Sequence, residues 1–149
     1  MAARLSSLDK EFYSRLSREP DAVLRRYALA ACRYAVEKSG LQFPAINTAL
    51  QAISEGRPLA PADHAELGRV VKSLDSVHIT TDIRDRDKTG RTDTLRAKAA
   101  LFQARAANAV FMATNPDPLF AALESVYEAY LATGNWAELK NILTGKQPE

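Results

Sequence analysis

Apolar residues recur three and four positions apart along most of the chain, the spacing of helices buried on one face. Leu8, Phe12 and Leu16 predict a short first helix from about Ser7 to Leu16. In the next segment, Pro20 stands at a first helical position, Asp21 in the first turn and Gly40 at the end, the expected punctuation of a helix. Its apolar stripe is Leu24, Tyr27, Ala28, Ala31 and Ala35. A third helix starts at Pro44, buries Ile46, Ala49, Leu50 and Ile53, and stops at Gly56. Pro61 or a neighbour opens a fourth, with Leu67, Val70, Val71 and Leu74 on its apolar side. The β-branched run "SVHITTDI" that follows leaves residues 77–84 open between frayed helix and a short extended piece.

Beyond it, "LRAKAALFQARAANAVFMA" predicts a strong fifth helix, because alanine has the highest helix propensity. Leu95, Ala99, Phe102, Ala106, Ala109 and Ala113 form its expected stripe, with Phe102 its largest member and, if buried, expensive to truncate. Asp117 caps a sixth helix with Pro118 at its first position and Leu119, Leu123, Val126, Tyr127 and Tyr130 within. Gly134 ends it, Asn135 caps a seventh, and Trp136, Leu139, Ile142 and Leu143 complete the pattern. The expectation is an all-α fold of about seven helices, a compact bundle or stacked hairpins, forming one domain over residues 1–149 with a charged loop at about 80–93.

A length of 149 residues suffices for one hydrophobic core, and 46% hydrophobic with 26% charged residues is a globular composition. The formal charge of +2 is unevenly spread: residues 1–40 hold eight Lys/Arg against five Asp/Glu, and residues 115–149 hold two against five. A dedicated DNA binder carries a larger basic excess. One cysteine, Cys32, excludes an internal disulfide framework. No apolar run reaches membrane-spanning length, and the first residues lack a secretory apolar stretch, so the expected location is cytoplasmic, with no membrane partner.

The stretch "DRDKTGRTDTLR", Asp85 to Arg96, resembles an EF-hand calcium loop: Asp85, Asp87, Thr89 and Asp93 supply oxygens and Gly90 sits at the sixth place. The twelfth place, where the family holds a bidentate Glu, is Arg96, and Arg84, Arg86, Lys88 and Arg91 add positive charge. The donor count therefore argues against a metal and toward a solvated link, with Asp93 or Thr94 capping the next helix. Within the same stretch, "DKTG" resembles the phosphorylated motif of P-type ATPases, which implies a strand end in a parallel sheet; no βαβ alternation surrounds it here.

Arg57 and His64 in "RPLAPADH" stand with six residues between them and resemble the Arg-to-His motif of HEPN ribonucleases. That resemblance implies an all-helical dimer cleaving RNA at the 2′-hydroxyl, although Pro58 and Pro61 interrupt the helix on which the family places the motif. His78 has no second His or Cys at ligand spacing, and Cys32 lies near an apolar stripe, where a lone cysteine acts as small core filling. "AYLATGNWAEL", Ala129 to Leu139, resembles the turn of a tetratricopeptide hairpin, with Gly134 left-handed, Asn135 capping and Trp136 packed in the crevice. The repeat period does not recur, so this implies helical hairpins rather than a solenoid.

Arg15, Arg18, Arg25, Arg26 and Arg33 alternate with Tyr13, Tyr27 and Tyr34, as nucleic-acid surfaces do, but acidic residues are interleaved and the tyrosines fall on or near the buried stripe. No convergent catalytic set is visible, and no cofactor is expected. The reading is a non-enzymatic protein-binding module of the adaptor, toxin-neutralising or assembly-factor kind. Its expected partner is an acidic protein met through Arg84, Arg86, Lys88, Arg91 and Arg96. An alanine-rich face would also suit a homodimer. The rival readings are a HEPN-like ribonuclease using Arg57 and His64 and, third, a nucleic-acid binder.

Overall fold

The structure, a computed structural model, describes residues 3–90 and 94–145. They form eight helices: α1 (Ala3–Leu8), α2 (Lys10–Leu16), α3 (Asp21–Ser39), α4 (Pro44–Ser54), α5 (Pro61–Thr89), α6 (Leu95–Ala113), α7 (Pro118–Thr133) and α8 (Trp136–Thr144). The chain is an all-α bundle. α3, α6 and α7 pack on one another at its centre, α5 lies along α6, and the remaining helices close the sides.

Alanine makes that centre possible. Ala28, Ala31 and Ala35 of α3, Ala104, Ala106, Ala107 and Ala109 of α6, and Ala122 and Ala129 of α7 are all buried in one continuous core. Small side chains let helices approach closely; the Cys32 Sγ of α3 reaches the Ala109 carbonyl of α6 at 3.4 Å. Larger residues fill the periphery, with Leu5, Leu16, Ile46, Leu67 and Leu139 fully buried.

Three expectations are corrected. The predicted first helix is two, because Asp9 breaks it: its carboxylate accepts from the Phe12 N–H and starts α2 anew. The predicted charged loop at 80–93 is mostly helix, since α5 continues through the β-branched run to Thr89 and ends on Gly90 with φ +68°. The β-branched residues lower helix propensity only slightly, and the run continues the helix although Val77, Ile79 and Ile83 are exposed. The predicted stripe of α6 fails in its first half: Leu95 is 88% exposed, Ala99 is exposed and Phe102 is only half-buried, outside the core. Ala97 and Ala104 are buried instead. With alanine on nearly every face, apolar spacing does not select the buried one.

The uneven charge along the chain is used internally. Arg4 of α1 pairs with Glu124 and with Glu128 (3.1 Å) of α7, and stacks over Tyr127 at 4.6 Å. Arg105 of α6 adds a second cation, 3.3 Å from Glu128. Lys140 of α8 meets Asp9 at 3.0 Å, and Lys38 of α3 meets Glu138 at 3.2 Å. Arg4 and Lys38 of the basic front thus meet acids of the tail, and the Lys140–Asp9 pair joins the same ends with the charges reversed.

Candidate functional site

Two places collect polar groups that the core does not consume. The first is a cleft of about 400 Å³ between the end of α4, the loop into α5, the start of α3 and the α6–α7 turn. Pro61 begins α5 because its missing N–H costs nothing in a first turn, and this leaves Arg57 in the loop and His64 one turn into the helix. Both residues line the cleft, together with Arg25. Arg25 donates to the carbonyls of Asn115 (2.9 Å) and Pro116 (2.7 Å), which fixes its guanidinium across the α6–α7 turn. Arg57 donates to Glu55 at 2.8 Å, and hydrogen bonds from Arg57 and then Gln51 hold the Glu55 carboxyl below the usual range. The His64 ring lies against Phe111, centroids 4.9 Å apart. The Arg57–His64 pair of the sequence is therefore brought to one cavity. Arg25 was missed as its companion, since no local signal joins positions thirty residues apart.

The second place is the outer end of the α5–α6 hairpin. From Asp75 to Thr89 only Asp85 is buried on α5, and from Leu95 to Gln103 only Ala97 is buried on α6. This stretch exposes Val77, Ile79 (56%) and Ile83 (44%) beside Leu95. Between Lys72 and Lys98, among the described residues, the exposed cations are Lys72, Arg84, Arg86, Lys88, Arg96 and Lys98; the exposed carboxylates are Asp75 and Asp87. The exposed isoleucines were hidden in the sequence by the ambiguous β-branched run.

The described calcium-loop candidates are placed on a helix, and Asp85 and Thr89 are engaged by the protein's own groups. Asp85, Asp87 and Thr89 lie on the last turns of α5, not in a loop, and the Thr89 hydroxyl donates to the Asp85 carbonyl. The Asp85 carboxylate accepts from Thr94 Oγ1 and from Arg96, each at 2.5 Å. Those two bonds, the Thr94 bond first, hold its carboxyl below the usual range. Thr94 also caps α6 by accepting from the Ala97 N–H. Asp93 and Arg91 lie outside the described residues. Among the described residues, no three His, Cys, Asp or Glu side chains gather as a metal site. The "DKTG" segment sits at a helix end rather than a strand end.

Of the other candidates, Cys32 is fully buried and burial pushes its thiol pKa far up, so it fills the core. His78 is half-buried on α5. Tyr27 and Tyr34 are buried, which removes them as platforms for stacking bases. The turn at Ala129 to Leu139 forms as the tetratricopeptide resemblance implied: Gly134 has φ +68° and Asn135 accepts from the Glu138 N–H. Trp136 packs edge-on to Phe12 of α2 as well as Tyr130 of α7, so the last helix joins the bundle rather than a repeat.

Fold and sites together define a helical bundle with a basic cleft and a projecting basic hairpin. No family model, curated protein or solved structure matches the chain. Among the described residues, no helix is long and apolar enough to cross a membrane.

Proposed function

We propose that the chain is a protein-binding module, and that the outer end of the α5–α6 hairpin docks an acidic, amphipathic segment of another protein. The observation that carries this reading is the combination of Ile79 and Ile83 exposed on one side of α5 with Arg86 on the same face and the exposed Arg84 and Lys88 on the same end of the helix. Ile79 and Ile83 are four apart, so they stand one above the other on the helix. No carboxylate among the described residues is within ion-pair distance of Arg84 or Arg86. Arg96, grouped with them in the sequence, is partly spent on Asp85. Aliphatic anchors supply contact area, and the surrounding cations steer an acidic partner and reject a basic one.

The test is affinity capture from native lysate with wild type and with an Ile83→Glu, Arg86→Glu variant. A stoichiometric acidic protein captured by wild type, lost with the variant and weakened by salt, supports the reading. Capture of no stoichiometric partner, or the same partner by both proteins, overturns it.

A second reading, a HEPN-like ribonuclease, has one observation in its favour: Arg57 and His64 line the same cleft. RNA cleavage by wild type that disappears in His64→Ala supports it; no cleavage, or equal cleavage by both, removes it.

A further inference from the structure

We propose that the cleft between α3, α4, α5 and the α6–α7 turn binds a small organic anion, a phosphate or carboxylate group carried on a compact apolar body. This rests on neither the docking hairpin nor ribonuclease chemistry.

The charge of the cleft is one-sided. Arg25, Arg57 and His64 come to it from three separate segments, and no Asp or Glu lines it. Arg25 is the fixed element. Its two bonds go to neutral carbonyls, so they orient the guanidinium without cancelling its charge, and three of its five N–H donors are left. Among the described residues no carboxylate is within ion-pair distance of Arg25. Arg57 is the adaptable element. Its bond to Glu55 joins two side chains that are both nearly half exposed, a solvent-screened ion pair that an arriving anion displaces at little cost.

The floor is apolar, built from Ile53, Leu59 and Ala113. Its volume of about 400 Å³ falls in the range of small-molecule sites, in which a few directed polar groups orient a mainly apolar ligand.

Isothermal titration with phenyl phosphate, benzoate, inorganic phosphate and phenol tests the proposal on the whole chain. The two aromatic anions separate phosphate from carboxylate preference, inorganic phosphate isolates the charged group, and phenol reports the apolar floor alone. The expected result is saturable binding of phenyl phosphate or benzoate, at least about tenfold tighter than phenol, and about tenfold weaker in Arg57→Gln. Arg57→Gln is the primary variant because its exposed side chain holds only Glu55, and His64→Gln is the second, with melting curves confirming that both fold. No saturable binding of either aromatic anion, phenol binding as tightly as the anions, or unchanged affinity in both variants overturns the proposal.

Discussion

Asp85 and Arg96, the first and last positions of a twelve-residue stretch that resembles a calcium loop, bond to each other at 2.5 Å. Arg96 holds the place of a bidentate ligand and supplies the counter-charge itself, while Thr94 satisfies the second oxygen of Asp85. The pair closes the α5–α6 hairpin where the core no longer supports it. Calcium should therefore leave the melting temperature unchanged at millimolar concentration, whereas Asp85→Ala should lower it. A calcium-dependent rise in the wild-type melt would return the stretch to the metal sites.

Asp9 performs a similar service at the other end of the molecule. Its carboxylate accepts from the Phe12 N–H (2.9 Å), Trp136 Nε1 (3.1 Å) and Lys140 Nζ (3.0 Å), joining the α1–α2 junction to α8. Burial would raise its pKa, but these three bonds outweigh it and the value falls below the ordinary range. A depressed folded-state pKa gives stability that is complete above the unfolded value, near 3.9, and is lost as pH falls through the folded value. Asp9→Asn keeps a capping side chain and removes the charge, so its deficit at pH 7 should be about 1 kcal/mol and should shrink below about pH 4. Urea melts at pH 7 and pH 3 check this; a constant deficit would show that the charge plays no part.

Much of the bundle was legible in the sequence, and the failures share a cause. Pro20, Gly40, Pro44, Asp117, Pro118, Gly134 and Asn135 mark helix ends because each imposes a local backbone or hydrogen-bonding condition that packing does not alter. The stripe of α3 was readable since Leu24 and Tyr27 contrast with the arginines beside them. α6 has no such contrast, so its buried face is chosen by neighbours distant in sequence. The continuation of α5 was hidden because its β-branched run weakens the local helix signal. Of the cleft, the sequence offered Arg57 and His64 as a spaced pair, but Arg25 joins them only through the fold.

Phe102 gives that lesson a measurable form. It is half-buried and outside the core, whereas Leu139 is fully buried. Leu139→Ala should cost about 2–5 kcal/mol, the range for a truncated core leucine. Phe102→Ala should cost less, about 1–2 kcal/mol, since its ring lies outside the core and is partly in water. Equal losses in chemical denaturation would place Phe102 in the core after all.

Gly134 separates backbone strain from crowding. Its φ is +68°, and a Cβ built there meets no atom within 4 Å. Gly134→Ala should therefore destabilise by about 1–2 kcal/mol through the left-handed conformation alone. Gly134→Asn, which tolerates that region better, should recover part of the loss. Identical melts for wild type and Gly134→Ala would mean that the turn relaxes without cost.

The buried carboxylate of Glu128 makes the strictest demand on the fold. Only 1% of its side chain is exposed, and its cations, Arg4 and Arg105, arrive from α1 and α6 with about two-fifths of their own side chains in water. Either arginine can be lost with the other still paired to Glu128, although losing Arg4 also strands Glu124. Losing both, in Arg4→Met with Arg105→Met, leaves a buried charge without a counter-ion, which costs about 3–5 kcal/mol. The loss should exceed the sum of the single variants, because each alone leaves Glu128 paired. Adding Glu128→Gln to the double variant removes the charge stranded at Glu128, though not that of Glu124, and should restore part of the stability, an outcome that lost packing of the arginine stems would not produce. Denaturant melts of wild type and the four variants decide it: additive losses, or no recovery with glutamine, would show that the arginines act through contact area and not through their charge.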